Sequence, residues 1–211
     1  MTAGDDARRD EDAIDGVVVG IVSDNDDPEG LGRVKLRYPW RAADDESGWA
    51  RVAVPMAGPD RGTYFVPEVG DEVLVAFEAG DVHYPYVVGA LWNGEDAPPV
   101  DDPDGSNDVR AIRSRSGHEV RMDDADADGG VSITTDGGHS IVLNDAAGGE
   151  TITIDDGQNA VEFDTTRGTV TVSAGTRISI EAPMLEINAD GNLNIQAGGV
   201  LTLQGSIINI N

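Results

Sequence analysis

The stretch TVTVSAGTRISIEAPMLEINADGNLNIQAGGVLTLQGSIININ, residues 169–211, decides the fold of the second half of this chain. Apolar residues occur there in pairs two positions apart, and glycine, asparagine or aspartate separates the pairs. The pattern begins upstream, and the pairs are Ile141/Leu143, Ile152/Ile154, Val161/Phe163, Val170/Val172, Ile178/Ile180, Leu185/Ile187, Leu193/Ile195, Leu201/Leu203 and Ile208/Ile210. Successive pairs begin 11 residues apart at first and 7 or 8 residues apart at the end, which is typical of a repeat architecture.

Each repeat offers only two apolar side chains to an interior. One chain therefore buries too little apolar surface to offset the entropy lost when it is ordered. A narrow single ribbon would also leave its strand edges unpaired. A wide single-chain solenoid would solve both problems, but its coils need about 18 residues or more. The spacing of 7 or 8 residues favours several copies wound together as an intertwined β-prism, and we expect three copies.

Two features of the same stretch predict where close contacts form. Glycine recurs where a repeat ends, and it tolerates positive φ and close chain approach, so it marks the corners of the predicted prism. The expected corners are Gly175, Gly191, Gly198 and Gly205. No residue after Asp190 is charged, which indicates a packed end that stays ordered or meets a partner, rather than a solvated tail. The expected contact residues are Ile207, Ile208, Ile210 and Asn211.

Residues 16–94 have a different texture, with aromatic residues and five short segments that predict strands. In one of them, Val34, Leu36 and Tyr38 alternate with basic residues, as in a half-buried strand. Glycine and proline separate the segments and no helical period is present, which indicates a small closed or nearly closed barrel. The segments are VVVGIVS (17–23), RVKLRYPW (33–40), WARVAVPMAG (49–58), EVGDEVLVAFEAGD (68–81) and YPYVVGALWNG (84–94).

The predicted organisation is all-β throughout. Residues 1–15 are charged and almost without apolar groups, which predicts a mobile acidic arm before the barrel of residues 16–94. Residues 95–109 form a linker rich in proline, aspartate and glycine. The repeat region then fills residues 110–211.

Composition excludes several classes of protein. The chain has 14 Lys and Arg against 40 Asp and Glu, for a net charge of −26, so its field repels nucleic-acid backbones. Lys35 is the only lysine, and an acidic surface nearly free of lysine is typical of proteins from extreme halophiles. The absence of cysteine excludes a disulfide scaffold, a thiolate zinc site and a cysteine nucleophile. No apolar signal core is present, so we expect assembly in the cytoplasm without a signal peptide.

Three segments resemble one known family. YFVPEVGDEVLVAFEAGDVHYPYVVGALWNG (64–94) is similar to the oligonucleotide/oligosaccharide-binding-fold (OB-fold) domain shared by phage baseplate assembly protein V, contractile-tail central spikes and type VI secretion VgrG proteins. GIVSDNDDPEGLGRVKLRYPW (20–40) resembles the first hairpin of that domain. NDVRAIRSRSGHEVRMDD (107–124) is similar to the start of the spike in that family.

The resemblance implies a fold and a function. It implies a homotrimer in which an N-terminal OB-fold barrel is followed by an intertwined triple-stranded β-helix. It also implies a structural role, as the central spike of a contractile tail that is mounted on a baseplate hub and driven through a target envelope. The expected setting is the tail baseplate of a virion or an injection particle, and the target membrane is met only by mechanical puncture.

Departures from the family pattern refine these expectations. VgrG proteins carry a large hub domain before the OB domain, but about 15 residues precede it here, so we expect the hub to be a separate polypeptide. The linker is too short for an inserted lysozyme, since even a small domain needs about 50 residues. The three histidines are far apart in sequence, so no His-x-His metal apex is expected. The apolar end would instead suit a separate PAAR-type tip protein.

Other candidate sites have simpler interpretations. Asp124, Asp126 and Asp128 match the start of a calcium loop, but Thr135 occupies the position of its final glutamate, so a hairpin turn is favoured. His118 and its acidic neighbours lack a nucleophile, so no enzymatic activity, cofactor or metal is expected. An aromatic set could form a base-stacking platform, although its acidic setting favours barrel core and inter-subunit packing. That set is Trp40, Trp49, Tyr64, Phe65, Tyr84, Tyr86 and Trp92.

Two other functions stay open at this point. The chain could be a carbohydrate- or envelope-binding OB module on a β-solenoid stalk, in which case the barrel would bind glycans. It could also be a wall-degrading tail enzyme, although no feature of the sequence supports that.

Overall fold

A computed structural model of the chain describes residues 14–42, 45–101 and 104–210. The described residues contain fourteen strands and one short 3₁₀ turn, Glu78–Gly80, and no α-helix, which confirms the predicted all-β class. They fall into two compact units, one ending at Gly105 and the other beginning at Ser106. Of the predicted arm, residues 1–15, only Ile14 and Asp15 lie inside the described residues.

The first unit is a five-stranded sheet with a small added hairpin. The sheet has the order β2-β1-β6-β7-β3, and an isolated bridge between Val34 and Ala50 links its two ends, so the strands surround a common interior. β4 and β5 pair separately. The strands are β1 (Val17–Asp24), β2 (Lys35–Arg37), β3 (Arg51–Val52), β4 (Ala57–Gly58), β5 (Arg61–Gly62), β6 (Glu72–Phe77) and β7 (Pro85–Ala90).

The predicted inward positions fill the interior of this unit. Val34 and Leu36 are fully buried and Tyr38 is 4% exposed, as the alternation in sequence predicts. The remaining core residues are Val22, Ala50, Val73, Val75, Phe77, Val82 and Val87. None of the seven aromatic residues assigned above to core or subunit packing is buried, so the core part of that prediction was wrong. Small β-branched valines fill most of the interior between the short strands, together with the rings of Tyr38 and Phe77, and the seven other rings lie nearer the surface.

The second and third predicted strands are shorter than expected. β2 spans three residues and β3 two, and the chain then turns into the hairpin of β4 and β5, which the sequence did not reveal. Pro39 and Pro55 follow the two strands closely, and proline cannot donate to a strand ladder. Gly62 has a φ of 153°, and a Cβ there would lie 2.6 Å from the Met56 carbonyl oxygen, so this hairpin requires glycine.

A carboxylate organises the loop between β1 and β2. The Asp27 side chain, 3% exposed, accepts hydrogen bonds from Arg33 Nη2 at 2.7 Å and from Arg33 Nε at 2.9 Å. It also accepts from the backbone N–H groups of Glu29 at 3.1 Å and Leu31 at 3.0 Å. The Arg33 guanidinium and these N–H groups hold the pKa of Asp27 well below its usual range.

The second unit begins with a seven-stranded antiparallel meander. Each strand pairs with the next along the chain, from β8 at one edge to β14 at the other. The strands are β8 (Val109–Arg113), β9 (Glu119–Asp123), β10 (Gly130–Thr134), β11 (Ser140–Asn144), β12 (Thr151–Asp155), β13 (Asn159–Asp164) and β14 (Thr169–Ala174). The first part of the predicted repeat region therefore pairs within one chain, because turns of three to six residues let each strand fold back on its predecessor.

The remainder of the second unit, residues 175–210, contains no strand. Extended segments alternate with bends at 175–176, 183–184, 190–191, 198–199 and 206. Residues 176–210 form no backbone hydrogen bond with any residue that the structure describes. The bends keep the spacing of 7 or 8 residues that the sequence shows.

Candidate assembly interface

The register of the meander aligns its apolar residues into two continuous rows on one face. The first apolar row crosses all seven strands and consists of Ile112, Val120, Ile133, Ile141, Ile154, Val161 and Val172. The second apolar row consists of Met122, Val131, Leu143, Ile152, Phe163 and Val170. The rows also include residues upstream of Ile141, among them the aliphatic pair Val131/Ile133, that the sequence analysis did not assign to the repeat.

These two rows are uncovered in the single chain. All but Val161 are more than a third exposed, from 38% for Val120 to 63% for Val170. Adjacent strands lie about 4.8 Å apart, so a face of seven strands is about 30 Å wide. Contiguous apolar residues exposed across a whole sheet face are typical of an interaction surface.

The opposite face of the meander is polar. Arg121 Nη2 binds Asp123 Oδ2 at 2.9 Å, and Arg113 Nη1 lies 3.8 Å from Glu119 Oε2. On the same face, serine and threonine lie in the neighbouring strands, and Ser132 pairs with Arg121. One face is therefore suited to water and the other to a protein interior, as in an antiparallel sheet that packs on one side only.

A groove of about 670 Å³ runs along part of the first apolar row. Its lining includes Ile141, Ile154 and Val172 from the row, together with Arg177 and Ile178 from the segment that follows β14. At the start of this segment, the Gly175 N–H donates a hydrogen bond to the Asn159 side-chain oxygen, Oδ1, at 3.2 Å. The chain thus leaves the meander beside the apolar row and carries its own apolar pairs onward.

The extended segment exposes both its backbone and its apolar pairs. Ile180, Ile187 and Ile195 are 67%, 62% and 59% exposed. Residues 176–210 form no backbone hydrogen bond among the described residues, so their exposed N–H and C=O groups are available to pair with another chain. The apolar pairs of this segment are uncovered in the same way as the two rows.

The predicted corner glycines lie at these bends, but not for the reason expected. Gly175, Gly191 and Gly198 are in bends and Gly205 precedes one, yet none of the four has a positive φ, which corrects that part of the prediction. Positive φ occurs instead in the hairpin turns of the meander, for example at Gly157 with 86°. A two-strand reversal needs left-handed backbone, whereas a bend between extended segments does not. A Cβ at Gly191 or Gly198 would meet nothing within 4 Å in the single chain.

The predicted terminal contacts are accessible. Ile207, Ile208 and Ile210 are 79%, 50% and 84% exposed, and Asn211 lies outside the described residues.

The other candidate sites lie in turns. Asp124, Asp126 and Asp128 fall in the connection between the paired strands β9 and β10, which confirms a hairpin there, and Arg110 Nη1 binds Asp124 Oδ2 at 3.2 Å. His118 Nδ1 accepts the Asp136 N–H at 3.2 Å in a turn contact. Within the described ranges, no group of three His, Cys, Asp or Glu side chains is placed to hold a metal ion. Nor does any described helix have the length and apolarity to cross a bilayer.

Comparisons with known proteins bear on both units. Residues 18–92 match the family described as the type VI secretion system/phage-baseplate injector OB domain. The chain is 29% identical to the type VI secretion system spike protein VgrG1a of Pseudomonas aeruginosa over 90% of its own length and 35% of that protein. It is 32% identical to VgrG2a of the same species over 58% of the chain and 16% of that protein. It is 35% identical to VgrG3 of Vibrio cholerae over 36% of the chain and 8% of that protein.

These matches confirm the resemblance to the baseplate and central-spike family, and they confirm the OB domain of the first unit. The chain spans about a third of the length of VgrG1a and less of the other two proteins. The match to VgrG1a extends over most of the chain, so it is not confined to the OB domain.

Proposed function

We propose that this chain, as a relative of baseplate and spike proteins, is the trimeric central spike of a contractile tail or injection particle. The observation that carries the proposal is the uncovered apolar face of the meander, continued by a segment whose backbone has no hydrogen-bond partner among the described residues. Three copies that turn their apolar rows toward a common axis would bury both rows and leave the polar faces in water. No contact to another class of molecule is needed to complete such a core.

The edge strand β14 supports an intertwined arrangement beyond the meander. Five of its six residues are exposed, and Val170 and Val172 belong to the apolar rows. In a wound trimer, the segment 177–182 of a neighbouring copy would run beside this edge in the same direction as β14. It would supply β14 with backbone hydrogen bonds and would obtain partners for its own N–H and C=O groups.

The intertwined arrangement accounts for a mechanical role. Each copy would be hydrogen-bonded to its neighbours along residues 176–210, so no copy could unfold alone under axial load. In the proposed rod, each chain makes one turn with three segments, which are separated by the bends every 7 or 8 residues. The three chains would alternate on each face at a spacing of about 4.8 Å, so one chain would rise about 14 Å per turn. Such a rod is suited to puncture and carries out no chemistry, so we propose that the protein is not an enzyme.

The proposed partners follow the two ends of the chain. The OB unit would mount the spike on a baseplate hub, and the exposed residues Ile207, Ile208 and Ile210 would contact a PAAR-type tip protein. The net charge of −26 supports a halophilic host, where concentrated salt screens repulsion between copies.

Mass in solution tests the trimer directly. Light scattering and native mass spectrometry in concentrated NaCl should give three copies per particle, and the particle should resist dissociation on dilution. A monomer at every concentration would contradict the proposal, because the apolar rows would then remain in water.

A further inference from the structure

The OB unit carries a first apolar patch on the outside of its sheet. The inward residues of β1 and β6 alternate with outward Val19 and Leu74, which pair across the strands, as do Val17 and Ala76. Val17 is 53% exposed, and the others are half-buried beside their neighbours. We call this surface the outer face, and its residues are Val17, Val19, Ile21, Leu74 and Ala76.

A second apolar patch is a groove of about 720 Å³ around the hairpin of β4 and β5. Four large side chains project into it although they are accessible to water. They are Leu31, Met56, Tyr64 and Phe65, which are 65%, 52%, 81% and 63% exposed. Tyrosine and methionine are enriched at protein interfaces. We call this surface the hairpin groove.

The two patches lie on different sides of the barrel. β1 and β6 are adjacent, and β3 is two strands away from each of them, through β2 in one direction and β7 in the other. Val52 of β3, Val54 and the hairpin that follows them line the groove. The outer face and the hairpin groove therefore cannot be occupied by the same face of one partner.

The two patches carry side chains of opposite charge at their edges. Arg61 lies in the wall of the hairpin groove next to Asp60, and Arg61 forms no ion pair within the described part of the chain. Glu72 pairs with Ile21 at the end of the outer face. The Arg61 guanidinium at the wall of an apolar groove can pair with the Glu72 carboxylate at the end of an apolar face.

We propose that the outer face of one OB unit docks in the hairpin groove of the next copy, closing a head-to-tail ring of three. This inference rests on the trimer of the proposed function, which holds three OB units together at high effective concentration. A cyclic trimer needs two different surfaces on each copy, and the barrel has two such apolar surfaces on separate sides. In the ring, Arg61 of one copy faces Glu72 of the next.

Cysteine cross-linking tests the ring, since the chain contains no cysteine of its own. Leu74→Cys together with Met56→Cys in the full-length protein should give covalent trimers on a denaturing gel after mild oxidation. Each single variant should stay a monomer on the gel. The matched control is Leu74→Cys with Tyr84→Cys. It keeps the cysteine in the outer face and moves the second one to Tyr84, an exposed residue outside both patches, so it should give no covalent trimer.

Charge reversal supplies a second measurement. Arg61→Glu in the double-cysteine protein should lower the yield of cross-linked trimer about fivefold, and adding Glu72→Arg should restore it. A particle of three copies that yields no cross-link would overturn the ring and leave the proposed spike intact. Disulfide dimers from either single-cysteine variant would also overturn it, because like patches would then meet. A protein that remains monomeric before oxidation would contradict the proposed function itself.

Discussion

At the scale of single residues, Asp27 converts a loop rich in charge into a defined structure. Its carboxylate binds the Arg33 side chain through two nitrogens and receives backbone N–H groups from the same loop. A buried carboxylate with this many donors stabilises the folded state only while it is ionised. The other acidic residues of the loop, such as Asp26, lie at the surface.

Asp27→Asn should destabilise the OB unit, because the Arg33 guanidinium loses its bidentate partner. We expect its Tm at neutral pH to fall by roughly 10 °C in a thermal scan. Asp26→Asn makes the same chemical change one residue away at an exposed position, so it should leave the Tm unchanged. Equal effects of the two variants would show that Asp27 does not organise the loop.

The same carboxylate predicts a pH dependence. The folded-state pKa of Asp27 is lowered, so its stabilisation is fully present above the unfolded-state value of about 3.9. It is lost as the pH falls below that value toward the folded-state pKa. The Tm difference between wild type and Asp27→Asn should therefore be constant from pH 5 to 7 and shrink below about pH 4. A difference that grows on acidification would contradict this assignment.

Tyr38 is the opposite case, because its buried hydroxyl forms no contact with the described residues that would stabilise the fold. Its hydroxyl lies inside the barrel and has no hydrogen-bond partner among the residues that the structure describes. The nearby Ser47 hydroxyl accepts the Leu36 N–H at 2.9 Å and donates to the Gly48 carbonyl at 2.7 Å. Burial raises the pKa of Tyr38 to about 12. Tyr38→Phe should therefore be as stable as wild type or more stable by about 1 kcal/mol in denaturant unfolding. A clear loss of stability would reveal a partner for the hydroxyl.

At the scale of elements, the meander illustrates how register creates a surface that no single strand has. Five-residue strands expose two apolar side chains each, and pairing without a slip aligns them over seven strands. A shift of one residue would move those side chains to the polar face. The aligned rows make the sheet dependent on further copies, since its own strands cannot cover them.

Ile154→Asp should prevent assembly, because each copy would bring a carboxylate into the apolar interior of the trimer. In the single chain Ile154 is 48% exposed, so the variant can fold its meander and remain a monomer. Thr153→Asp changes the next residue of the same strand, which lies on the polar face, and should still give trimers. Light scattering distinguishes the two, and trimers from Ile154→Asp would place the interface on another surface.

Substitutions at two glycines distinguish backbone strain within one chain from crowding between the three copies of the trimer. Gly157 has a φ of 86°, so Gly157→Val should strain a hairpin turn by about 2 kcal/mol within each chain. At Gly191 a Cβ would meet nothing within 4 Å and φ is not positive, so we expect the effect of Gly191→Val to come from neighbouring copies. We expect this variant to fold its OB unit normally and to abolish the trimer. A heat-resistant trimer of Gly191→Val would contradict the intertwined model of residues 176–210.

At the scale of the whole molecule, charge sets the conditions under which copies can associate. Each chain carries a net charge of −26, and a trimer concentrates three such charges in one particle. The range of electrostatic interaction falls from about 10 Å at 0.1 M salt to about 3 Å at 1 M. The apolar rows supply attraction at any salt concentration, whereas the repulsion is strong only in dilute salt.

The fraction of trimer should therefore rise with NaCl between 0.1 and 3 M, and its Tm should rise with it. Sedimentation at several salt concentrations and one protein concentration measures this. KCl at the same ionic strength should act as NaCl does, because the effect is screening and not binding of one ion. A trimer that loosens as salt increases would mean that ion pairs, and not apolar contacts, hold it together.

Prediction from the sequence succeeded where a local pattern had a single structural meaning. Val34, Leu36 and Tyr38 alternate with basic residues, and the structure buries them as the pattern requires. The hairpin of β4 and β5 was missed because it has only two residues per strand and depends on a contact between Gly62 and the Met56 carbonyl. The aromatic residues were placed too far inside, since size alone does not show which side of a small barrel a ring occupies.

Local patterns of residues were enough to predict the all-β class, the OB domain, the spacing of the repeat and the need for a covered apolar surface. Those properties follow from residue types at fixed intervals, which fix local backbone preference and the face of each side chain. The pairing of the strands within residues 109–174, and the lack of backbone pairing of residues 176–210 with any described residue, became known from the structure alone. That choice depends on turn lengths and on registers between strands, and the energy of a strand pair is set by contacts between segments rather than by either segment alone.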